Sequence, residues 1–317
     1  MNGWGRILKP NIIVTDLDGT LLRSDATLSD YTRKVLAEGL AQGHMISYAT
    51  ARSFISSWNI VSAIPWRYPV LLYNGALLYD PVLRRKIDGR FLSADVTEAW
   101  IRVGKAFGFS PLVFALGADE REWVLHERLQ REGERRFYAS RPGDPRFKEV
   151  ESLENGLPPF PMMLTYIGLP EELQPLMEAG LRSFGSEVHV NFMPDSYISG
   201  HYFLEISHPL ANKRDGLELW ARHVGCAPGQ ITVFGDNLND VPLFERAGFR
   251  IAVANAHPTL KSMADAVTGA NDEDGVADLF SAASVRKPGT SSERENGWHV
   301  NVSRNDKYIP EESGRKL

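Results

Sequence analysis

Two acidic clusters, far apart in the chain, have the residue types and spacing for metal-assisted chemistry. Asp16-Leu17-Asp18-Gly19-Thr20 directly follows the apolar run Ile12-Ile13-Val14, and Gly235-Asp236-Asn237-Leu238-Asn239-Asp240 directly follows Ile231-Thr232-Val233-Phe234. Each run reads as a buried strand, so both clusters sit just past a strand's C-terminal end, the edge where open α/β sheets bind ligands. Four carboxylates gathered there repel strongly unless a cation neutralises them. Asp16 and Asp18 can face one pocket from a tight loop. Gly19 lets the backbone turn and frees amides that can hold phosphate oxygens. Phosphoryl transfer is one chemistry such a set serves. Asp16 attacks phosphorus, Asp18 protonates the leaving oxygen and then activates water, and Mg²⁺ offsets the anionic centre. Mg²⁺ takes oxygen ligands in an octahedron, one or two of them carboxylates. The candidate metal set is Asp16, Asp18 through its main-chain carbonyl, Asp236 and Asp240, with Asp240 and Asn239 holding water or the loop. The bland alternatives are an Asx-type turn at Asp16–Asp18 and a helix cap at Asn239.

The elements that must position these groups follow an alternating rhythm. Over residues 9–79, strands at 12–15, 44–49 and 70–73 alternate with helices at 29–42 and 54–64, which implies βαβ units and a parallel sheet. The rhythm returns after residue 200, with helices at 212–224 and 239–247 and strands at 231–234, 251–254 and 266–268. Residues 84–198 behave differently. Helices at 96–107 and 171–184 mix with strand-like pieces at 123–126, 162–168 and 188–192, separated by Pro-rich and Gly-rich punctuation. The expected organisation is a core at 9–83 and 199–282, an α+β insert at 84–198, and a disordered polar tail at 283–317.

Composition sets the outer bounds. The 317 residues are 43% hydrophobic and 24% charged, with a formal net charge of −5, as expected of an ordinary globular chain. That charge argues against bulk attraction to nucleic acid or an anionic membrane. A single cysteine, Cys226, rules out an intramolecular disulfide framework and fits a reducing cytoplasm. No apolar stretch is long enough to span a bilayer, and residues 1–10 lack the apolar core of a signal peptide.

Together these motifs resemble those of the haloacid dehalogenase superfamily of phosphatases, and their order with the large insert resembles its Cof-type branch. The resemblance covers residues 10–282 and implies a Rossmann-like parallel-sheet core with an inserted α/β cap that sets substrate selectivity. It implies a phosphate-binding hydroxyl at Thr50 within His44-Met45-Ile46-Ser47-Tyr48-Ala49-Thr50-Ala51-Arg52, with Ala51 where the family usually has Gly. Ala51, Arg52, Asn74 and Asn239 join Thr50 as expected substrate-binding residues. Lys213, in Asn212-Lys213-Arg214-Asp215-Gly216-Leu217, aligns with the family's charge-neutralising lysine, although Arg214 replaces a Gly. Asp16, Asp18 and Lys213 are therefore the expected catalytic set. The resemblance implies a Mg²⁺-dependent phosphatase of small phosphorylated metabolites, sugar phosphates foremost, working as a monomer or homodimer without nucleic acid or membrane. A phosphomutase on the same fold and a catalytically silent binding module are the alternatives. His189, His201 and His208 are expected to be structural, and 128–141 to be a solvated basic face.

Overall fold

The computed structural model describes residues 11–154, 156–194 and 198–284. The N-terminal part runs β1 (Ile12–Thr15), α1 (Asp30–Ala41), β2 (Met45–Tyr48), α2 (Phe54–Val61), β3 (Val70–Leu72), β4 (Leu77–Asp80) and β5 (Arg85–Gly89). The middle runs α3 (Ala94–Ala106), β6 (Leu112–Leu116), β7 (Glu122–His126), α4 (Glu132–Ala139), β8 (Phe147–Glu149), β9 (Phe160–Gly168), α5 (Pro170–Phe184), β10 (His189–Pro194) and β11 (Tyr202–Ser207). The last part runs α6 (Lys213–Val224), β12 (Thr232–Gly235), α7 (Val241–Arg246), β13 (Phe249–Ala252), α8 (Pro258–Met263), β14 (Ala266–Val267) and α9 (Gly275–Ser284).

Five strands in the order β14-β13-β12-β1-β2 make a sheet in which every neighbouring pair is parallel. β12 is central, with β1 beside it, so the two acidic clusters leave the same edge of the sheet from adjacent strands. The strands are short and apolar because helices cover both faces; Ile13, Val14, Ile46, Val233 and Phe234 are all buried. Ser29 caps α1 by accepting the Thr32 amide, and Gly225 ends α6 in the left-handed conformation, as the sequence pattern requires.

Two expectations about this region change. β3 is not a further full strand of the parallel sheet. It touches β2 through the bridge Ala49–Leu71 and pairs antiparallel with β4. The cause is a left-handed turn at Tyr73, Asn74 and Gly75 (φ 50°, 54° and 94°), which folds the chain straight back. The helix expected at 239–247 is a 3-10 turn, Leu238–Asp240, followed by the shorter α7.

A second sheet, β10-β11-β9-β6-β7-β8, meets the first part of the chain at the start of α2, through Glu122, and at Tyr73, through Phe114. One face packs Leu164, Tyr166, Leu204 and Ile206 into a core with Trp100, Leu173 and Leu176 of α3 and α5. The other face looks toward the parallel sheet. The boundary expected at residue 198 falls short of this sheet, because β11 hydrogen-bonds between β10 and β9 and completes it. The segment 128–141 is likewise more than a solvated face. Its centre is α4, which buries Gly133, Glu134 and Phe137, while the Arg141 guanidinium lies 3.5 Å from the centre of the Phe137 ring. The strands β4, β5, β6, β8 and β11 and the helices α4, α8 and α9 have no counterpart in the sequence reading. Of the expected tail, 285–317 lies outside the described residues.

Candidate active site

A wide turn after β1 shapes the first acidic cluster. The Asp16 amide donates to the Phe234 carbonyl at 3.0 Å, extending the β1–β12 contact by one residue and fixing Asp16 at the sheet edge. The turn itself spans Leu17–Leu21 and is closed by the Leu22 amide on the Leu17 carbonyl at 2.8 Å. Buried Leu17 and Leu21 anchor it. Gly19 sits at φ 73°, and a Cβ there would lie 2.4 Å from Asp236 Oδ2. Only glycine permits both the backbone angle and that approach. Thr20 Oγ1 donates to Asp236 Oδ1 at 2.9 Å, tying the two clusters together.

Lys213 is the centre of the charge arrangement. It opens α6, where Asn212 Oδ1 caps the helix by accepting the Arg214 and Asp215 amides. The helix start is brought close by a glycine contact: a Cβ on Gly75 would lie 2.4 Å from the Asn212 carbonyl oxygen, and one on Gly216 would lie 2.9 Å from the Gly75 Cα. Lys213 Nζ then donates to Asp16 Oδ1 at 2.5 Å and to Asp240 Oδ1 at 2.6 Å. The other Asp240 oxygen accepts the amides of Asp236 and Asn237 at 3.0 and 3.1 Å. Lys213 and Asp240 are buried, and Asp16 is 4% exposed.

Burial raises the Asp16 carboxyl well above its usual range; Lys213 opposes the rise, while Asp240 and Asp236 add to it. Burial, then the Asp240 charge, pushes Asp236 up to about 6. Burial works against the Lys213 charge, but the two carboxylates outweigh it and hold its pKa above the ordinary value. One carboxylate oxygen from each of Asp16, Asp236 and Asp240 lies within 4.8 Å of the others. Three acidic groups around one ammonium leave a negative excess in a partly dry site. The donors are all oxygen, so the set fits a hard divalent cation.

The other expected residues surround this centre. Thr50, fully buried after β2, donates its amide to the Leu71 carbonyl and accepts the Asn74 amide on its own carbonyl, both at 2.9 Å. Its hydroxyl accepts the Arg52 amide at 3.1 Å. Ala51 is exposed. Arg52 grips Asp18 with two bonds, Nε to Oδ2 at 2.8 Å and a terminal nitrogen to Oδ1 at 2.6 Å. The Asp18 side chain is thereby turned toward Arg52, apart from the Asp16–Asp236–Asp240 group. Asn239 Nδ2 reaches Asn74 Oδ1 at 3.5 Å.

Several residues of the site's frame were not identified from sequence. Asn255, just past β13, donates to the Gly19 carbonyl at 2.8 Å and accepts the Asn271 amide at 3.0 Å. Asn271 in turn donates to the Leu22 carbonyl at 3.0 Å. Their signal was the one that exposed Asp16 and Asp236, polar residues at a strand's C-terminal end. Glu122 of β7 gave no such signal. It crosses from the second sheet to accept the Phe54 and Ile55 amides at 2.9 and 3.1 Å and the Tyr73 hydroxyl at 3.0 Å, capping α2 directly behind the Thr50–Arg52 loop. A cavity of about 460 Å³ lies at that joint, lined by Phe54, Tyr79, Trp123 and Arg146 among others. None of the residues expected to be catalytic lines it.

Comparison with known proteins agrees with this geometry. A sequence profile described as haloacid dehalogenase-like hydrolase matches residues 13–280. The 5-amino-6-(5-phospho-D-ribitylamino)uracil phosphatase YitU of Bacillus subtilis is 27% identical over 273 residues, covering 85% of this chain and 96% of that protein. The pyridoxal phosphate phosphatase YbhA of Escherichia coli is 24% identical over 275 residues, covering 85% and 97%. Among solved structures, TM0651 from Thermotoga maritima superposes with a TM-score of 0.69 at 26% identity, covering 85% of this chain and 96% of that one. A haloacid dehalogenase-like hydrolase from Bacteroides thetaiotaomicron reaches a TM-score of 0.71 at 22% identity, covering 85% and 98%.

The geometry leads to two expected outcomes. In metal-free protein, a folded-state Asp236 pKa above its unfolded value gives stability that is present below about pH 4 and is lost as pH rises through about 6. Asp236→Asn escapes that loss, so its melting temperature relative to wild type should climb between pH 4 and 7 in EDTA. A flat difference would remove the raised pKa. Gly75→Ala should destabilise the fold by about 1–3 kcal/mol in denaturant titrations, since the added carbon meets the Asn212 carbonyl and strains a left-handed residue.

Proposed function

The chain belongs to the haloacid dehalogenase-like hydrolases, and on that premise we propose that it is a Mg²⁺-dependent phosphatase of small phosphorylated metabolites. The observation that carries this reading is Lys213 held between Asp16 and Asp240 at the edge where Asp236 also projects. Lys213 occupies Asp16 Oδ1, which leaves Oδ2 to attack phosphorus. A bond forms from Oδ2 to phosphorus as the ester P–O bond breaks, and Asp18 passes a proton to the departing oxygen. Asp18 then takes a proton from water, the water oxygen bonds to phosphorus, and Asp16 is released with inorganic phosphate. Arg52 holds both Asp18 oxygens apart from the acidic centre, so Asp18 acts on the departing oxygen after it turns from Arg52 and takes up a proton. Thr50, Lys213 and the Ala51 amide hold the phosphoryl oxygens, and Asn74 and Asn239 border the mouth.

Asp16, Asp236 and the Asp18 carbonyl would hold the metal, with Asp240 bracing them; when bound, Mg²⁺ offsets the charge of the phosphoryl group against the nucleophile. The middle segment, 84–198 together with β11, acts as a cap on the core formed by 9–83 and the remainder of 199–282. The named activities of the relatives, on a ribitylaminouracil phosphate and on pyridoxal phosphate, support phosphomonoesters of small metabolites as substrates. Sugar phosphates lead within that class.

The test is phosphate release from a panel of phosphometabolites and p-nitrophenyl phosphate, with Mg²⁺ and with EDTA. Release should require the cation, and Asp16→Asn should lower kcat by about 10³-fold or more. Unchanged turnover in Asp16→Asn would remove the nucleophile assignment. Strict dependence on a bisphosphate activator without net phosphate release would turn the reading to a phosphomutase.

A further inference from the structure

On the second sheet, one line of side chains is polar where its neighbours are apolar. Asn191 of β10, Glu205 of β11 and Thr165 of β9 are direct cross-strand partners, so they stand side by side on one face. Leu112 of β6 continues the line, and Phe114, two residues further on, meets the Tyr73 ring. Glu122, two residues from Phe114's partner Val124, reaches the α2 amides from the same face. The line therefore lies on the face turned toward the core. Phe203 and Ile167 pair on one side of it, Ser207 and Met163 on the other. At the Phe203 side α4 closes the face, with the Phe137 ring against both Phe203 and Phe114. At the Ser207 side the chain makes one turn, closed by the Ala211 amide on the His208 carbonyl, and then reaches Lys213.

Thr165 lacks the partner that a buried polar group normally has, and the half-buried Glu205 and Asn191 stand beside it. Thr165 is 2% exposed, and its hydroxyl has no hydrogen-bond partner. Glu205 accepts one bond, from Asn191 Nδ2 at 3.3 Å. No lysine or arginine pairs with it among the described residues, and burial pushes its carboxyl up to about 7. A fold gains nothing from placing an orphan hydroxyl beside a poorly solvated carboxyl in a sheet whose other face is a complete apolar core. The capacities left over are a carboxyl oxygen that accepts and a threonine hydroxyl that both donates and accepts. An alcohol complements them, since its O–H donates to Glu205 while its oxygen accepts from Thr165. A second anionic group beside Glu205 is disfavoured.

We propose that Asn191, Glu205 and Thr165 form the leaving-group subsite, and that it takes an uncharged hydroxylated chain, a sugar or polyol, by its hydroxyls. This rests on the phosphatase reading, with the phosphoryl group at Asp16 and the carbon chain directed at the second sheet.

The test compares sorbitol 6-phosphate with p-nitrophenyl phosphate, which carries no aliphatic hydroxyl, in wild type, Thr165→Val and Glu205→Gln. The ratio of their kcat/KM values should fall about tenfold in each variant, the effect of one lost hydrogen bond, and Thr165→Ser should restore it. A ratio within about twofold of wild type in both variants overturns the subsite, even where both rates fall together. Calorimetric titration of sorbitol 6-phosphate into Asp16→Asn protein, with and without Thr165→Val, separates this proposal from the reaction itself. About tenfold weaker binding with Thr165→Val supports the subsite even if wild type releases no phosphate. Equal binding, or no binding to the Asp16→Asn protein, overturns it.

Discussion

The buried ammonium of Lys213 is the constraint on which the rest depends. Taking a lysine out of water costs several kcal/mol, and breaking such a buried pair costs about 3–5 kcal/mol. Lys213 is stable in its place only because Asp16 and Asp240 meet it within hydrogen-bond distance. The same holds in reverse, since neither carboxylate would remain charged there alone. Asp240 could not take part without the Asp236 and Asn237 amides on its second oxygen. The charges are thus mutually conditional. That fixes the relative positions of β1, β12 and α6 more tightly than their apolar contacts would, because packing tolerates small shifts that a 2.5 Å bond does not.

The same triad explains why small residues collect where they do. Gly19 lets Asp236 approach the turn after β1, while Gly75 and Gly216 let α6 approach the turn after β3. Each contact brings backbone or a carboxylate closer than a side chain would allow. Asn255 and Asn271 then hold the wide turn from outside. The site is rigid where charge is concentrated and open around Asp18, whose carboxylate keeps solvent access beside Arg52.

The central residues were legible in the sequence because their signal is local. Asp16 and Asp236 follow short apolar runs, and a parallel strand tells the reader which end of the sheet its last residue meets. Lys213 was legible only through its motif, since a lysine at a helix start is ordinarily a surface charge. Glu122 and Thr165 were not legible, because their meaning depends on the aim of side chains across strand pairings. A shift of one residue in β9 would turn Thr165 into the apolar core instead. The hairpin of β3 and β4 was missed for a related reason. Its left-handed turn begins at Tyr73, which does not advertise such a conformation, although Asn74 and Gly75 do.

β11 has one further consequence. A single unbroken stretch of chain carries Glu205 in the second sheet and then delivers Lys213 to the acidic edge. The second sheet and the acidic edge are therefore not separable parts joined by two neutral linkers. On the incoming side the chain passes through β5, which belongs to a small sheet of its own with β3 and β4. On the outgoing side the joint leads directly to Lys213 at the start of α6. Exchange of this middle module between relatives, whether by recombination or by design, has its natural seam within the few residues between Ser207 and Asn212. A cut later than that would remove the Lys213 ammonium that makes Asp16 tolerable.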